Sequence, residues 1–208
     1  YREYERFSTT IANAYVAPVI ANHIKDLERV LKNVTRRLSG GFRVMQSNGG
    51  TMTARAASEN AVRTLLSGPA GGVVGAYGVV QRCGIRKMIS FDMGGTSTDV
   101  CLADGKIPLT PEKMVAGTPV KVPMVDIHTV GAGGGSIARQ DVGGALKVGP
   151  ESAGANPGPV CYGMGDDITV TDANLILGRL NQDRFLGGRM RLDLNRTEKK
   201  FRLFARAI

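Results

Sequence analysis

The stretch FDMGGTSTDV, Phe91 to Val100, sets an aspartate, two adjacent glycines and a run of hydroxyls between apolar flanks. Those residue types can handle a phosphate and a metal ion. Adjacent glycines at a hairpin tip let main-chain N–H groups converge on an anion with no side chain in the way. Gly94, Gly95 and Thr96 are the expected amide donors, and the Thr96 and Thr98 hydroxyls are further ones. Asp92, at the end of the incoming strand, is placed to hold Mg²⁺, largely through water, because that ion keeps much of its hydration shell. Asp99 is a second carboxylate able to orient a water or the metal. Alternation sends Thr96 and Thr98 to one face and Ser97 and Asp99 to the other, so Asp92 and Asp99 need not face one atom.

A second glycine loop, Gly131 to Ser136, contains Gly133, Gly134 and Gly135, which are candidates for lining a nucleotide. Neither a Walker GxxxxGK[ST] pattern nor a dinucleotide GxGxxG with a following helix and acidic residue is present. Ser97 and Ser136 are poor candidates for a Ser-His-Asp triad, since His128 is the one histidine near either of them. Asp126 and His128, two apart on a strand, share a face and could serve metal, substrate or structure. Cys83, Cys101 and Cys161 are too few and too widely spaced for a disulfide framework or a cysteine zinc site. A reducing cytoplasm suits them.

Several elements must position these residues. From Glu3 to about Leu38 the pattern is helical, with a break expected at Pro18, which has no donor for the preceding turn. Val19, His23, Leu27, Val30, Leu31 and Val34 form an apolar stripe, ended by Ser39-Gly40-Gly41. FRVMQ reads as a short strand. In SGPAGGVVGAYGVV, Ser67 is a candidate cap, Pro69 suits the first helical turn, and Val73, Val74, Tyr77 and Val80 make the stripe. Gly71, Gly72, Gly75 and Ala76 clear the helix surface, as close approach by another backbone or a ligand would require. Strands over Met88 to Asp92, Thr98 to Ala103 and Ile107 to Leu109 predict an antiparallel meander, with a tight turn at ADGK. Val148 to Gly165 reads as an ordered loop. TVTDANLILGRL reads as a helix over Ala173 to Leu180, capped by Thr171 or Asp172.

The 208 residues suit one large domain or two small ones, and 42% hydrophobic against 22% charged residues is the balance of a globular protein. Neither an apolar run long enough for a membrane span nor a signal-like start is present. The +9 formal charge is scattered and only 5% of residues are aromatic, with no Trp, so a nucleic-acid partner is not expected. The sequence opens without Met and stops in a helical pattern, which suggests an excised piece of a longer polypeptide.

As a set, QSNGG, SGPAGGVVGA, FDMGGTSTDV, HTVGAGGGSIA, GPESAGANPGP and TVTDANLILGRL resemble the hydantoinase A/5-oxoprolinase family, over about Arg2 to Leu180. The resemblance implies an α/β fold, an incomplete actin-like ATPase (ribonuclease H-like) lobe with a mixed sheet. Residues 1–66 would then belong to the preceding lobe, and 67–208 to a second lobe opened by the phosphate-binding hairpin. It implies ATP and Mg²⁺ as cofactors and a small cyclic amide, such as 5-oxoproline or hydantoin, as substrate for ring opening. A ketone carboxylase subunit is the alternative, and a non-catalytic actin-like module a third reading. The family carries a second DxGGT-type hairpin in another lobe. This chain is therefore expected to hold half a cleft, to need a partner subunit or further lobes, and to show little ATPase alone.

Overall fold

A computed structural model describes residues 1–35 and 42–207 of the chain. The chain divides into two compact units, Tyr1–Ser90 with Val100–His128, and Phe91–Asp99 with Thr129–Ile208.

The first unit contains the long helix α1, Glu3–Thr35, which runs without interruption through Pro18. The break expected there does not occur. Ala14 and Pro18 are both exposed. The Ala14 carbonyl that loses its helical donor therefore lies on the water-facing side, where solvent can replace the bond. The inward stripe also sits about one residue from the expected one. Ile24 is buried and Ile20, Leu27 and Leu31 are half-buried, whereas Val19, His23 and Val30 are exposed. The Val34 side chain and the Ser39-Gly40-Gly41 stop lie outside the described residues.

Strands β1, Arg43–Met45, and β2, Thr51–Thr53, pair antiparallel with Val44 opposite Met52. Helix α2, Ala54–Glu59, begins where the Thr53 hydroxyl accepts the Ala56 N–H. Small residues Ala54 and Ala57 let Ile24 and Met52 close over them. Helix α3, Ser67–Arg82, buries Ala70, Val73 and Tyr77. Its cap is Leu66, in a left-handed conformation at φ 59°, and not Ser67, which is already helical. A Cβ added at Gly71 would make ordinary contact with Met45, and one at Gly75 would meet nothing within 4 Å.

Strands β3, Lys87–Met93, and β4, Thr98–Asp104, form the hairpin. They are followed by β5, Leu109–Thr110, β6, Lys113–Val115, β7, Thr118–Val120, and β8, Met124–Val125. The expected meander stops after two strands. Pro108 has no N–H to give a ladder beside β4, and its carbonyl accepts the Asp126 N–H instead. That contact starts the antiparallel pairing of β5 with β8. Ala70, Val73, Cys101, Val125 and Ile127 form a core cluster here.

The third strand beside β4 is β9, His128–Val130, giving the order β3-β4-β9. The boundary between the units falls within β3, β4 and β9. In the second unit β10, Ser136–Gln140, pairs antiparallel with β11, Leu146–Ser152, with a register shift between Ser136 and Ala138. The passage expected as a loop from Val148 therefore starts as strand and becomes irregular only after Ser152.

Helix α4, Val170–Ile176, starts earlier than the sequence suggests, because Thr169 is its cap. Asp172 lies inside the first turn and closes a capping box. Its fully buried carboxylate accepts the Val160, Cys161 and Thr169 N–H groups and the Thr169 hydroxyl, at 2.7 to 3.2 Å. Burial first, then the Asp172 carboxylate, pushes the Cys161 thiol well up, so this sulfur stays protonated packing material. Cys161, Leu175 and Leu192 form the core cluster against which helix α5, Leu194–Ala207, begins. The Lys200 ammonium, with Arg196, holds the Asp166 carboxyl below its ordinary value.

Replacing Asp172 strands several buried donors at once. Asp172→Ala is expected to cost about 3 kcal/mol or more in urea unfolding, and Asp172→Asn, which keeps one acceptor oxygen, clearly less. An unchanged urea midpoint for Asp172→Ala would contradict this account.

Candidate functional site

The hairpin tip, Gly94–Ser97, is closed by a hydrogen bond from the Gly94 N–H to the Ser97 carbonyl, 2.9 Å. Gly94, Gly95 and Thr96 are all exposed. Because the Gly94 amide closes the turn, the amides left for an anion are those of Gly95 and Thr96. Neither they nor the Thr96 hydroxyl has a hydrogen-bond partner among the described residues. Asp92, the penultimate residue of β3, is exposed and likewise without a protein partner among them.

The tip is held from behind by the Gly131–Ser136 loop. The Gly134 N–H donates to the Gly94 carbonyl at 2.9 Å and the Gly135 N–H to the Gly95 carbonyl at 2.6 Å. These two strips of backbone can lie this close only without side chains. A Cβ on Gly133 would fall 2.7 Å from the Gly95 carbonyl carbon and oxygen and from the Thr96 nitrogen. A Cβ on Gly135 would fall 2.7 Å from the Ser152 hydroxyl and 3.0 Å from the Gly95 oxygen. Backbone atoms cannot step aside as a side chain can, so glycine is required at position 133, while at 135 the Ser152 hydroxyl would have to move and the Gly95 oxygen to give by a few tenths of an ångström.

A further layer holds the loop. The Gly134 carbonyl accepts both the Thr171 N–H, 2.7 Å, and the Thr171 hydroxyl, 2.8 Å. The Gly135 carbonyl accepts the Ala153 N–H at 2.8 Å, and the Gly133 carbonyl accepts the Ser136 N–H at 3.0 Å. The Gly133 N–H donates to the buried Ser136 hydroxyl at 2.8 Å. Every main-chain amide and carbonyl of these three glycines is thus engaged inside the second unit.

Thr98 and Asp99 serve the same assembly. The buried Thr98 hydroxyl donates to the Ala132 carbonyl, so its proton is spent on the loop and not on an incoming anion. Asp99 accepts the Thr129 hydroxyl at 2.6 Å on Oδ1, leaving Oδ2 for another donor. Asp126 and His128 belong to the first unit and are exposed on either side of buried Ile127, so they do share a side of the chain. Among the described residues no group of three or more His, Cys, Asp or Glu side chains could hold a metal ion. Nor is any described helix long and apolar enough to cross a membrane. Sequence reasoning missed Thr171 and Thr129 as parts of the site. Thr171 looked like a helix cap, and nothing local to Thr129 marks it as the partner of an aspartate thirty residues earlier.

The architecture is mixed α/β with small sheets, and its likeness to solved structures agrees with the actin-like ATPase type of fold that the resemblance implies. The nucleotide-free structure of an acetone carboxylase superposes with a TM-score of 0.81 at 34% identity, covering 100% of this chain and 29% of that one. An ATP-dependent caprolactamase from Pseudomonas jessenii superposes with a TM-score of 0.77 at 42% identity, covering 97% of this chain and 29% of that one. The 5-oxoprolinase of Saccharomyces cerevisiae is 40% identical over 210 residues, 95% of this chain and 15% of that protein. Residues 6–208 match the hydantoinase/oxoprolinase family, and the chain belongs to that family. It spans about a third or less of the curated relatives it matches.

Gly133→Ala tests the backbone contact directly. The added methyl is expected to lower stability by about 1 to 3 kcal/mol and to raise amide exchange at Gly134 and Gly135. Wild-type stability and exchange in this variant would show that the strips do not touch.

Proposed function

We propose that the protein carrying this chain uses ATP to open a cyclic amide, with the Gly94–Ser97 tip holding phosphate oxygens. The observation that carries the reading is that the exposed Gly95 and Thr96 amides and the exposed Asp92 carboxylate, at one hairpin tip, have no hydrogen-bond partner among the described residues. In our reading the two amides and the Thr96 hydroxyl bind oxygens of the phosphate chain. Asp92 fits Mg²⁺, which is held mostly by water and phosphate oxygens and needs no cage of protein carboxylates. Asp99, steadied by Thr129, orients a water through its remaining oxygen. Thr98, Gly133, Gly134 and Gly135 serve the nucleotide site by keeping the tip in place. Bound ATP would supply a phosphoryl group to the oxygen of the amide, which is by itself a poor electrophile; water adding at the amide carbon would then let the ring nitrogen leave with a proton, and hydrolysis of the resulting acyl phosphate would release phosphate. For such chemistry the chain's contribution is positioning and charge neutralisation more than a nucleophile.

The substrate class rests on relatives named caprolactamase and 5-oxoprolinase, at 44% and 40% identity. A ketone carboxylase is the second reading, favoured by the acetone carboxylase superposition and by an acetophenone carboxylase gamma subunit at 37% identity. Relatives named as alpha and gamma subunits support a partner subunit in either case. The free thiols of Cys83, Cys101 and Cys161 favour a reducing compartment, the cytoplasm.

The test measures ADP release by the intact protein with Mg-ATP and, in turn, 5-oxoproline, hydantoin, caprolactam, or acetone with bicarbonate. Stimulation by a cyclic amide, lost about 100-fold or more in Asp92→Ala with an unchanged melting temperature, is expected. Stimulation by the ketone alone would select the carboxylase. An Asp92→Ala protein that keeps full turnover would refute the site.

A further inference from the structure

We infer that Thr171 is a positioning residue for the phosphate-binding tip, acting through Gly134; the inference rests on the reading of that tip as the nucleotide site. The chain of contacts is short and continuous. Thr171 gives two hydrogen bonds to one oxygen, the Gly134 carbonyl, from its N–H at 2.7 Å and its hydroxyl at 2.8 Å. On the other side of the same residue, the Gly134 N–H holds the Gly94 carbonyl at 2.9 Å, and the Gly94 N–H closes the tip onto Ser97. Two donors on the carbonyl fix the tilt of the Gly134–Gly135 peptide, which has no side chain to fix it, and donation into that carbonyl strengthens donation by the N–H of the same peptide, that of Gly135, to the Gly95 carbonyl at 2.6 Å. The Thr171 hydroxyl also occupies the space beside Gly134, since a Cβ built there would fall 2.8 Å from it.

The hydroxyl is not needed to start α4. Thr169 is the cap, and Thr169 with Asp172 completes the capping box without Thr171. Nor does hydrophobic packing call for it, because Thr171 is only half-buried. The one hydrogen bond the hydroxyl makes among the described residues is directed at the glycine loop. A nucleotide site whose phosphate donors are two main-chain amides and a single hydroxyl has little side-chain chemistry of its own. Its fine placement therefore depends on the groups that hold the backbone, and Thr171 supplies a side chain for that purpose from outside the hairpin.

The test uses the intact protein with Thr171→Val, which keeps the shape and the main-chain bond but loses the hydroxyl, and Thr171→Ser, which restores it. Two quantities are read: amide exchange at Gly94, Gly134 and Gly135 without nucleotide, and the ATP dependence of turnover. In Thr171→Val exchange at these amides is expected to rise and the KM for ATP to rise roughly tenfold, about the effect of one hydrogen bond. The melting temperature should move little, and Thr171→Ser should recover both readouts. Unchanged exchange and KM in Thr171→Val, or failure of the serine variant to recover them, would overturn the inference. A wild-type protein without ATP-dependent turnover would instead overturn the functional reading, and the exchange comparison would still decide whether Thr171 holds the tip.

Discussion

Two strips of glycine backbone lie against each other, and the second unit is arranged around that contact. The Gly134 and Gly135 amides reach the Gly94 and Gly95 carbonyls only because Gly133, facing the hairpin at a separation no Cβ could tolerate, has no side chain. A hairpin tip in water fluctuates, and an anion site made of main-chain amides is only as good as their fixed direction. Bracing from behind supplies that direction without filling the space in front. The glycines of the loop are in this account supports. In our proposal the exposed glycine and threonine of the tip are the binding surface.

Support for the loop comes from three separate segments: the start of α4 through Thr171, the end of β11 through Ala153, and β10 through Ser136. Each of these is anchored in turn. Asp172, one residue beyond Thr171, binds four donors and ties α4 to the turn at Val160 and Cys161. A buried carboxylate with that many partners is costly to leave unsatisfied, so the start of α4 has little freedom. Stability in the core of this unit is thereby linked to precision at its surface. The sequence expresses the link as TVTDA, where one threonine caps, the next steadies the glycine loop and the aspartate binds the core.

The hairpin and its context are legible in the sequence. Asp92, the glycine pair and the flanking strands read correctly as strand, tip and strand, because apolar runs bounded by turn residues have few other solutions. The division of labour among the glycines was not legible. Gly94–Gly95 and Gly133–Gly135 look alike in sequence, and only their relative placement separates exposed amides from engaged ones. Thr98 read as a donor to phosphate, whereas its proton goes to Ala132, a residue thirty-four positions away. Long-range pairings of that kind leave no local signal. The same limit explains the lost third strand of the meander, where Pro108 pairs with Asp126, and the unbroken α1, where Pro18 happens to lie on the water side.

The decisive measurement for the central claim is a crystal structure of the intact protein with a non-hydrolysable ATP analogue and Mg²⁺. The account predicts phosphate oxygens within hydrogen-bonding distance of the Gly95 and Thr96 amides, Asp92 beside the hydrated metal, and the Gly94–Gly134 and Gly95–Gly135 bonds intact. A nucleotide bound away from the tip, with those two amides left to solvent, would contradict it.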